Sequence, residues 1–312
     1  MTIQRPDLDT AKKILFEAYK QNKIPFEPKD IEPYCAGGGA LTLKVISKDN
    51  VEYAIRFPNT EHKLNDMKAE AEKLQFFKSE KLSEKSGLHI PETHCVHDND
   101  FAFVWHKAVV GETVTPNKYK LLTEQQMSDL AKKLAVFLST IHKCNKSKQI
   151  PNHSIGIGLR MGQMRLKGFK ELQNKLPPDI FNKYNTMQIN TDYPDTVCHF
   201  DMHGRNMALN PATKELVGIF DFGDTCVQKC FLDFYKLSFI SRNLTRRVIN
   251  EYNKISDIKI NIEDVDIAYL CDISNKLINS PNDGIVNASL QNFVMDINEQ
   301  NMQAFQNQAE RE

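Results

Sequence analysis

Asp201, Asn206 and Asp221 recur at intervals of five and fifteen residues, inside the stretches HFDMHGRN (199–206) and IFDFGD (219–224). An apolar, strand-like run leads into each stretch, so each cluster falls where a strand delivers its last residues into a loop. By composition alone, His-x-Asp-x4-Asn followed by a downstream Asp-Phe-Gly would arise in about one chain in ten thousand. The chemistry that needs such groups is phosphoryl transfer. Charge spreads over the equatorial oxygens of the migrating group, and the protein contributes positioning and electrostatic stabilisation by metal ions. An oxygen-rich Mg²⁺ site needs converging carboxylate and amide oxygens, which Asn206 and Asp221 can supply. Asp201 is then left for the acceptor, to orient the attacking hydroxyl and take its proton late in the reaction. His199 reads as a residue that braces the loop through backbone hydrogen bonds rather than as a base.

The elements that must position these residues change character near residue 105. LTLKVIS (41–47) and VEYAIRF (51–57) flank the turn Lys-Asp-Asn and predict a hairpin. KLNDMKAEAEKLQFFKSEKL (63–82) predicts a helix, because Leu64, Met67, Ala71, Leu74, Phe77 and Leu82 recur mostly at spacings of three and four. THCVHDNDFAFVWHKAVVG predicts two further strands around Asp-Asn-Asp. After Pro116 the pattern turns helical, beginning with TEQQMSDLAKKLAVFLSTIHK (123–143), where Thr123 and Gln126 form a capping-box signature. The tail NEQNMQAFQNQAERE predicts a polar, loosely packed last helix.

At 312 residues the chain exceeds what one core fills, which predicts two lobes. Its 40 basic and 40 acidic residues balance, which argues against a nucleic-acid partner. MTIQRPDLDTAKKILFEAYK reads as an amphipathic helix rather than a leader, and no apolar run approaches a membrane span, so a cytoplasmic protein without a membrane partner is expected. The seven cysteines include no Cys-x-x-Cys pair and are expected to be reduced core residues.

The segment 197–237, with Asp201, His203, Asn206, Asp221 and Asp233 in register, resembles the catalytic core of the aminoglycoside phosphotransferase family of small-molecule kinases. That resemblance implies an α+β, bilobal protein-kinase-like fold. An N-terminal antiparallel sheet lobe with one or two helices (1–104) would precede a hinge (105–112) and a larger, mainly helical catalytic and substrate-binding lobe (113–312). Phe200 stands where the family usually has Gly. Asp233 would brace the catalytic loop, and His142, at the end of the 123–143 helix, would be structural.

The resemblance extends over residues 34–240 and implies ATP or GTP as co-substrate with Mg²⁺. Gly37, Gly38 and Gly39 would bring backbone N–H groups to the phosphates. Arg56, in YAIRFP, would take the place of the family's common Lys on the α- and β-phosphates, with Lys44 as the fallback. Its partner would be Glu70, which shares a helix face with Leu74, or alternatively Glu72. The backbone of Trp105, His106 and Lys107 would meet the purine.

A protein kinase fits less well, because no Ala-Pro-Glu follows Gly223 and the interval to Asp233 is too short for an activation loop. Residues 257–299 carry eight acids against two lysines. They suggest either a solvated helix face or an acidic wall, including Glu263 and Asp266 and joined by Asp224, that would draw a small cationic, aminoglycoside-like acceptor. Two readings stay open beside this one: a choline/ethanolamine-type or other metabolite kinase, and a catalytically silent kinase-like module that binds a partner protein.

Overall fold

The computed structural model describes residues 5–37, 40–98, 101–153, 169–190 and 192–309. The chain divides into two compact units, Met1–Gly111 with Val217–Gly223, and Glu112–Leu216 with Asp224–Glu312.

Five antiparallel strands form the sheet of the first unit: β1 (Pro28–Gly37), β2 (Ala40–Ser47), β3 (Glu52–Pro58), β4 (His94–His97) and β5 (Ala102–Lys107), in the order β1-β2-β3-β5-β4. The expected hairpin is β2–β3. Asn50 takes the left-handed conformation its turn requires, one that Asn tolerates better than most residues. On one face of the sheet lies α1 (Leu8–Lys20), capped by the Asp7 carboxylate, which accepts from the Thr10 N–H. Its Ala11, Leu15 and Ala18 pack with Leu43, Val45, Ile55, Phe57, Phe103 and Trp105 in one buried cluster. Paired residues of an antiparallel sheet share a face and successive residues alternate. Arg56, opposite Thr42 and Val104, therefore faces away from α1, as does Ala54 opposite Lys44 and His106.

α2 (Glu61–Ser79) starts at Thr60, whose hydroxyl accepts from the Lys63 N–H, and buries Leu64, Met67, Ala71, Leu74 and Phe77 as their spacing predicts. It ends three residues before the expected point. Lys81 adopts a left-handed backbone that breaks the helix, and Leu82 opens the separate short α3 (Leu82–Ser86).

In the second unit β6 (Glu112–Thr113) pairs with β8 (Met207–Leu209), and β7 (Asp195–Cys198) pairs with β10 (Cys226–Lys229). β9 (Leu216–Ile219) enters the first unit, where the His89 N–H donates to the Val217 carbonyl and the Ile219 N–H to the His89 carbonyl. The described helices of the second unit include α4 (Pro116–Lys120), α5 (Glu124–His142), α6 (Pro178–Thr186), α7 (Arg242–Ile255), α8 (Ile262–Asn279) and α9 (Gly284–Ala309). Thr123 and Gln126 make the full capping box at the start of α5.

A buried ion pair joins α7 to α8. Arg242 donates from Nε to Asp266 Oδ1 at 3.0 Å and from Nη2 to Oδ2 at 2.7 Å, and Tyr184 adds its hydroxyl at 2.7 Å. Arg242→Met would leave Asp266, fully buried, without its cation. The expected loss is about 3 kcal/mol, read as a lowered urea midpoint; an unchanged midpoint would mean the pair contributes nothing.

Cys144, Cys198, Cys226, Cys230 and Cys271 are buried, as expected. Cys95 is a correction: it is exposed, on the edge strand β4. No described helix is long and apolar enough to cross a membrane.

Candidate active site

Strand β7 ends at Cys198, and the next residues are held by one carboxylate. Asp233 accepts from the His199 N–H at 2.9 Å and from the Phe200 N–H at 2.7 Å, while His142 Nε2 lies 3.2 Å from Asp233 Oδ2. His142 Nδ1 in turn faces the Tyr252 hydroxyl at 2.9 Å, whose pKa burial raises, so Tyr252 donates to Nδ1 and the His142 Nε2–H donates to Asp233. Both His142 and Asp233 are buried. Cys198 Sγ lies close enough to complete a His–Cys–Asp cluster, but burial holds its thiol protonated and the carboxylate is already spent on hydrogen bonds. Asp233 closes a 3-10 turn (Cys230–Asp233) rather than opening an α-helix.

The brace holds the chain in an unfavourable shape. Phe200 has φ 64°, a left-handed backbone that costs a non-glycine residue about 1–2 kcal/mol. The turn leaves Asp201 partly exposed. Its N–H donates to His199 Nδ1 at 3.2 Å, which places the ring proton of His199 on Nε2. Its carbonyl and its Oδ2 accept from Asn206 Nδ2 at 3.0 and 2.8 Å, and Lys236 Nζ donates to Oδ1 at 2.6 Å. His203 Nε2 stands 3.4 Å from Oδ2. Burial raises the Asp201 carboxyl, but Lys236, aided by His203 and His199, outweighs it and holds the group below the usual carboxylate range. Asp201 is an ionised acceptor at neutral pH. Gly204 seals the loop: a Cβ there would lie 1.7 Å from the Val114 carbonyl oxygen, so no larger residue fits without moving backbone.

In the first unit, Arg56 Nη1 donates to Glu70 Oε2 at 2.8 Å, while Lys44 pairs with Glu52 instead. Glu70 is buried and Glu72 exposed, which separates the two candidate partners. The other Glu70 oxygen, Oε1, accepts from the Phe222 N–H at 3.2 Å, so one carboxylate ties Arg56 to the Asp-Phe-Gly turn. Lys73, one helical turn on from Glu70, donates to the Gly223 carbonyl at 2.5 Å. Phe222 is buried against Phe77, with ring centroids 5.3 Å apart. Asp221 carries φ 65° and is exposed.

Each metal candidate keeps an oxygen available. Asn206 spends its amide N–H groups on Asp201, leaving Oδ1 without a partner among the described residues, and no hydrogen bond or ion pair occupies the Asp221 carboxylate there. Each oxygen, taken singly, is of a type that a hard divalent cation accepts.

Other expectations need correction. Asp266 cannot meet an acceptor, because it is fully buried against Arg242 and Tyr184. Glu263 is engaged by Lys183 at 2.6 Å. Asp264 is buried on the Tyr193 hydroxyl, and Asp272 pairs with Lys276. The acidic wall is thus largely spent on the unit's own architecture, while Asp224 stays exposed. The Trp105 indole packs on the α1 face against Phe26, Tyr53 and His94, so only its backbone is left for a ligand on the Arg56 face. His106 shares the face of Arg56 and donates from Nδ1 to the Lys107 carbonyl. Gly37 ends β1, and Gly38 and Gly39 lie outside the described residues. A cavity of about 530 Å³ between α5 and α7, lined among others by Ser128, Arg246 and Arg247, contains none of the predicted site residues. Lys236 and Lys73 were not singled out in the sequence.

A sheet unit carrying an Arg–Glu pair and an Asp-Phe-Gly turn, and a helical unit presenting an Asp–Asn loop, are the parts of a protein-kinase-like fold. A family model described as the phosphotransferase enzyme family matches residues 30–257, and the chain belongs to that family. The fold is similar to that of APH(2")-IIa in its streptomycin–ATP ternary complex, with TM-score 0.62, 20% identity and 92% of this chain covering 95% of that one. It is similar to aminoglycoside 2'-phosphotransferase-IIIa in its GDP complex, with TM-score 0.65, 16% identity and coverage of 92% and 97%. A macrolide 2'-phosphotransferase type I gives TM-score 0.59 at 11% identity, covering 93% of this chain and 99% of that one. At these identities the likeness is one of fold. No curated protein matches the sequence significantly.

Proposed function

We propose that this phosphotransferase moves the γ-phosphoryl group of ATP or GTP to a hydroxyl of a small molecule. The observation that carries this reading is Asp201: an ionised carboxylate on a strained turn, held by Asn206 and Lys236 and braced from behind by Asp233. A carboxylate so held orients an acceptor O–H. The bond from acceptor oxygen to phosphorus forms as the bond from phosphorus to the β-phosphate oxygen breaks, and the acceptor proton passes to Asp201.

Asn206 and Asp221 are the residues that would hold Mg²⁺, which when bound neutralises charge on the phosphate oxygens. Arg56, steadied by Glu70, binds the α- and β-phosphates, and its planar guanidinium suits two oxygens at once. The turn at Gly37 and the backbone of Trp105 to Lys107 complete the nucleotide contacts. Asp224 is the exposed acid in this part of the chain that remains for a cationic group on the acceptor.

Arg56→Met removes a charge-assisted contact and leaves Glu70 attached only to the Phe222 N–H. ATP affinity, measured by calorimetry with Mg²⁺ present, should fall about tenfold to a hundredfold; an unchanged affinity would return the role to Lys44. Nucleotide consumption that rises when a hydroxyl acceptor is added supports the proposal. Nucleotide binding that no acceptor converts to turnover would favour a silent binding module.

A further inference from the structure

Asp201 is not a bare carboxylate. Lys236 Nζ lies 2.6 Å from Oδ1, so the base and its neighbour form a pair of zero net charge. Lys236 comes from the 3-10 segment Tyr235–Phe239, three residues after Asp233, so the chain that braces the loop backbone also delivers the ammonium. The ring of Phe200 faces that ammonium, 5.7 Å from Nζ to centroid, and Tyr235 packs edge-on against Phe200 at 6.5 Å. Glycine would hold the left-handed backbone of position 200 without strain, but it offers no ring to the ammonium. Phe200 thus accepts strain and supplies a contact that keeps Lys236 on Asp201.

The surrounding acids point the same way. Asp272, which together with Asp201 and Asp224 lifts the pKa of buried Tyr235 beyond the effect of burial itself, is paired with Lys276 at 2.8 Å. Asp264 and Asp266 face inward. A polycation arriving at Asp201 would meet an ammonium already in place and few uncommitted carboxylates to replace it.

Resting on the assignment of Asp201 as the base, we infer that Lys236 sets the charge of the acceptor: the site takes a hydroxyl compound with at most one positive charge near the reacting hydroxyl, and disfavours a polyamine. The neutral pair leaves Asp201 able to accept from the hydroxyl while Lys236 denies a second ammonium the same oxygen.

Binding, which needs no turnover, tests this separately from the transfer reaction. Kanamycin, choline and inositol serve as polycation, monocation and neutral polyol, titrated calorimetrically into protein saturated with Mg²⁺ and a non-hydrolysable ATP analogue. Lys236→Met should bind kanamycin at least about tenfold more tightly than the parent, or about 1.4 kcal/mol. Choline should shift less and inositol little. Lys236→Arg should restore the parent ranking, and the gain should vanish when Asp201→Asn is added, which a purely structural role for Lys236 would not produce. Kanamycin affinity that is unchanged, weaker or undetectable in both forms overturns the inference, as does a gain that survives Asp201→Asn. If Lys236→Met does not fold, the parent alone decides: kanamycin bound more tightly than choline and inositol also overturns it. Failure of the phosphotransferase reading shows differently, as loss of acceptor-dependent nucleotide consumption whatever the ranking.

Discussion

Asp201→Asn is expected to fold, to bind nucleotide within about threefold of the parent, and to lose about a thousandfold in kcat. The amide is nearly isosteric and can still accept from Asn206 or Lys236, so the loop geometry described by the contacts at 2.6 to 3.0 Å should survive. It cannot take the acceptor proton, and it presents no charge to orient the hydroxyl. Because Asp201 is partly exposed, the lost ion pair should cost little stability, and the melting temperature should fall by only a few degrees. The check pairs steady-state turnover with calorimetric nucleotide affinity. Turnover within tenfold of the parent would remove Asp201 from the chemistry, whereas loss of folding would place its role in structure.

Asp233→Ala carries the largest expected effect on stability. Only 1% of Asp233 is exposed, and its carboxylate serves two backbone N–H groups and a buried imidazole. Alanine leaves all three donors without an acceptor, at about 1–3 kcal/mol each where water cannot enter, and releases the contact that holds Phe200 in its left-handed backbone. The expected loss is about 4–5 kcal/mol, a large part of the stability of an ordinary domain. Asp233→Asn, which keeps one acceptor oxygen, should lose about half as much. Adding Phe200→Gly to Asp233→Ala should recover about 1 kcal/mol by relieving strain. Urea midpoints of the four proteins test the series. A loss below about 1 kcal/mol for Asp233→Ala would mean that the loop is held by something else.

How much of this was legible in the sequence depended on whether the signal was local. The Lys-Asp-Asn hairpin, the Thr123–Gln126 capping box and the buried stripe of α2 were all readable, because each is decided by residues within a few positions of one another. Glu70 was separable from Glu72 for the same reason: it lies four before Leu74 and so shares the inward face. The early end of α2 was not readable, since only the left-handed backbone of Lys81 divides it from α3. The acids of residues 257–299 misled because net charge does not say which way a helix faces. Asp264 and Asp266 sit among Val265, Ile267 and Leu270, all buried, and the partners that make their burial tolerable, Tyr193 and Arg242, come from 71 and 24 residues away. Lys236 was missed because its meaning depends on where Asp201 lies in space. A cation three residues beyond the bracing Asp was the one available hint.

The central claim is that a γ-phosphoryl group passes to an acceptor hydroxyl under the control of Asp201. The most direct measurement is to incubate the protein with Mg²⁺, isotopically γ-labelled ATP or GTP and a panel of aminoglycosides, choline, ethanolamine and neutral polyols, and to follow the label by mass spectrometry. The structure predicts label on an acceptor hydroxyl, about a thousandfold slower labelling with Asp201→Asn, and yields that favour acceptors of low positive charge. Label found only in inorganic phosphate across the whole panel, or transfer that Asp201→Asn leaves intact, would contradict the account.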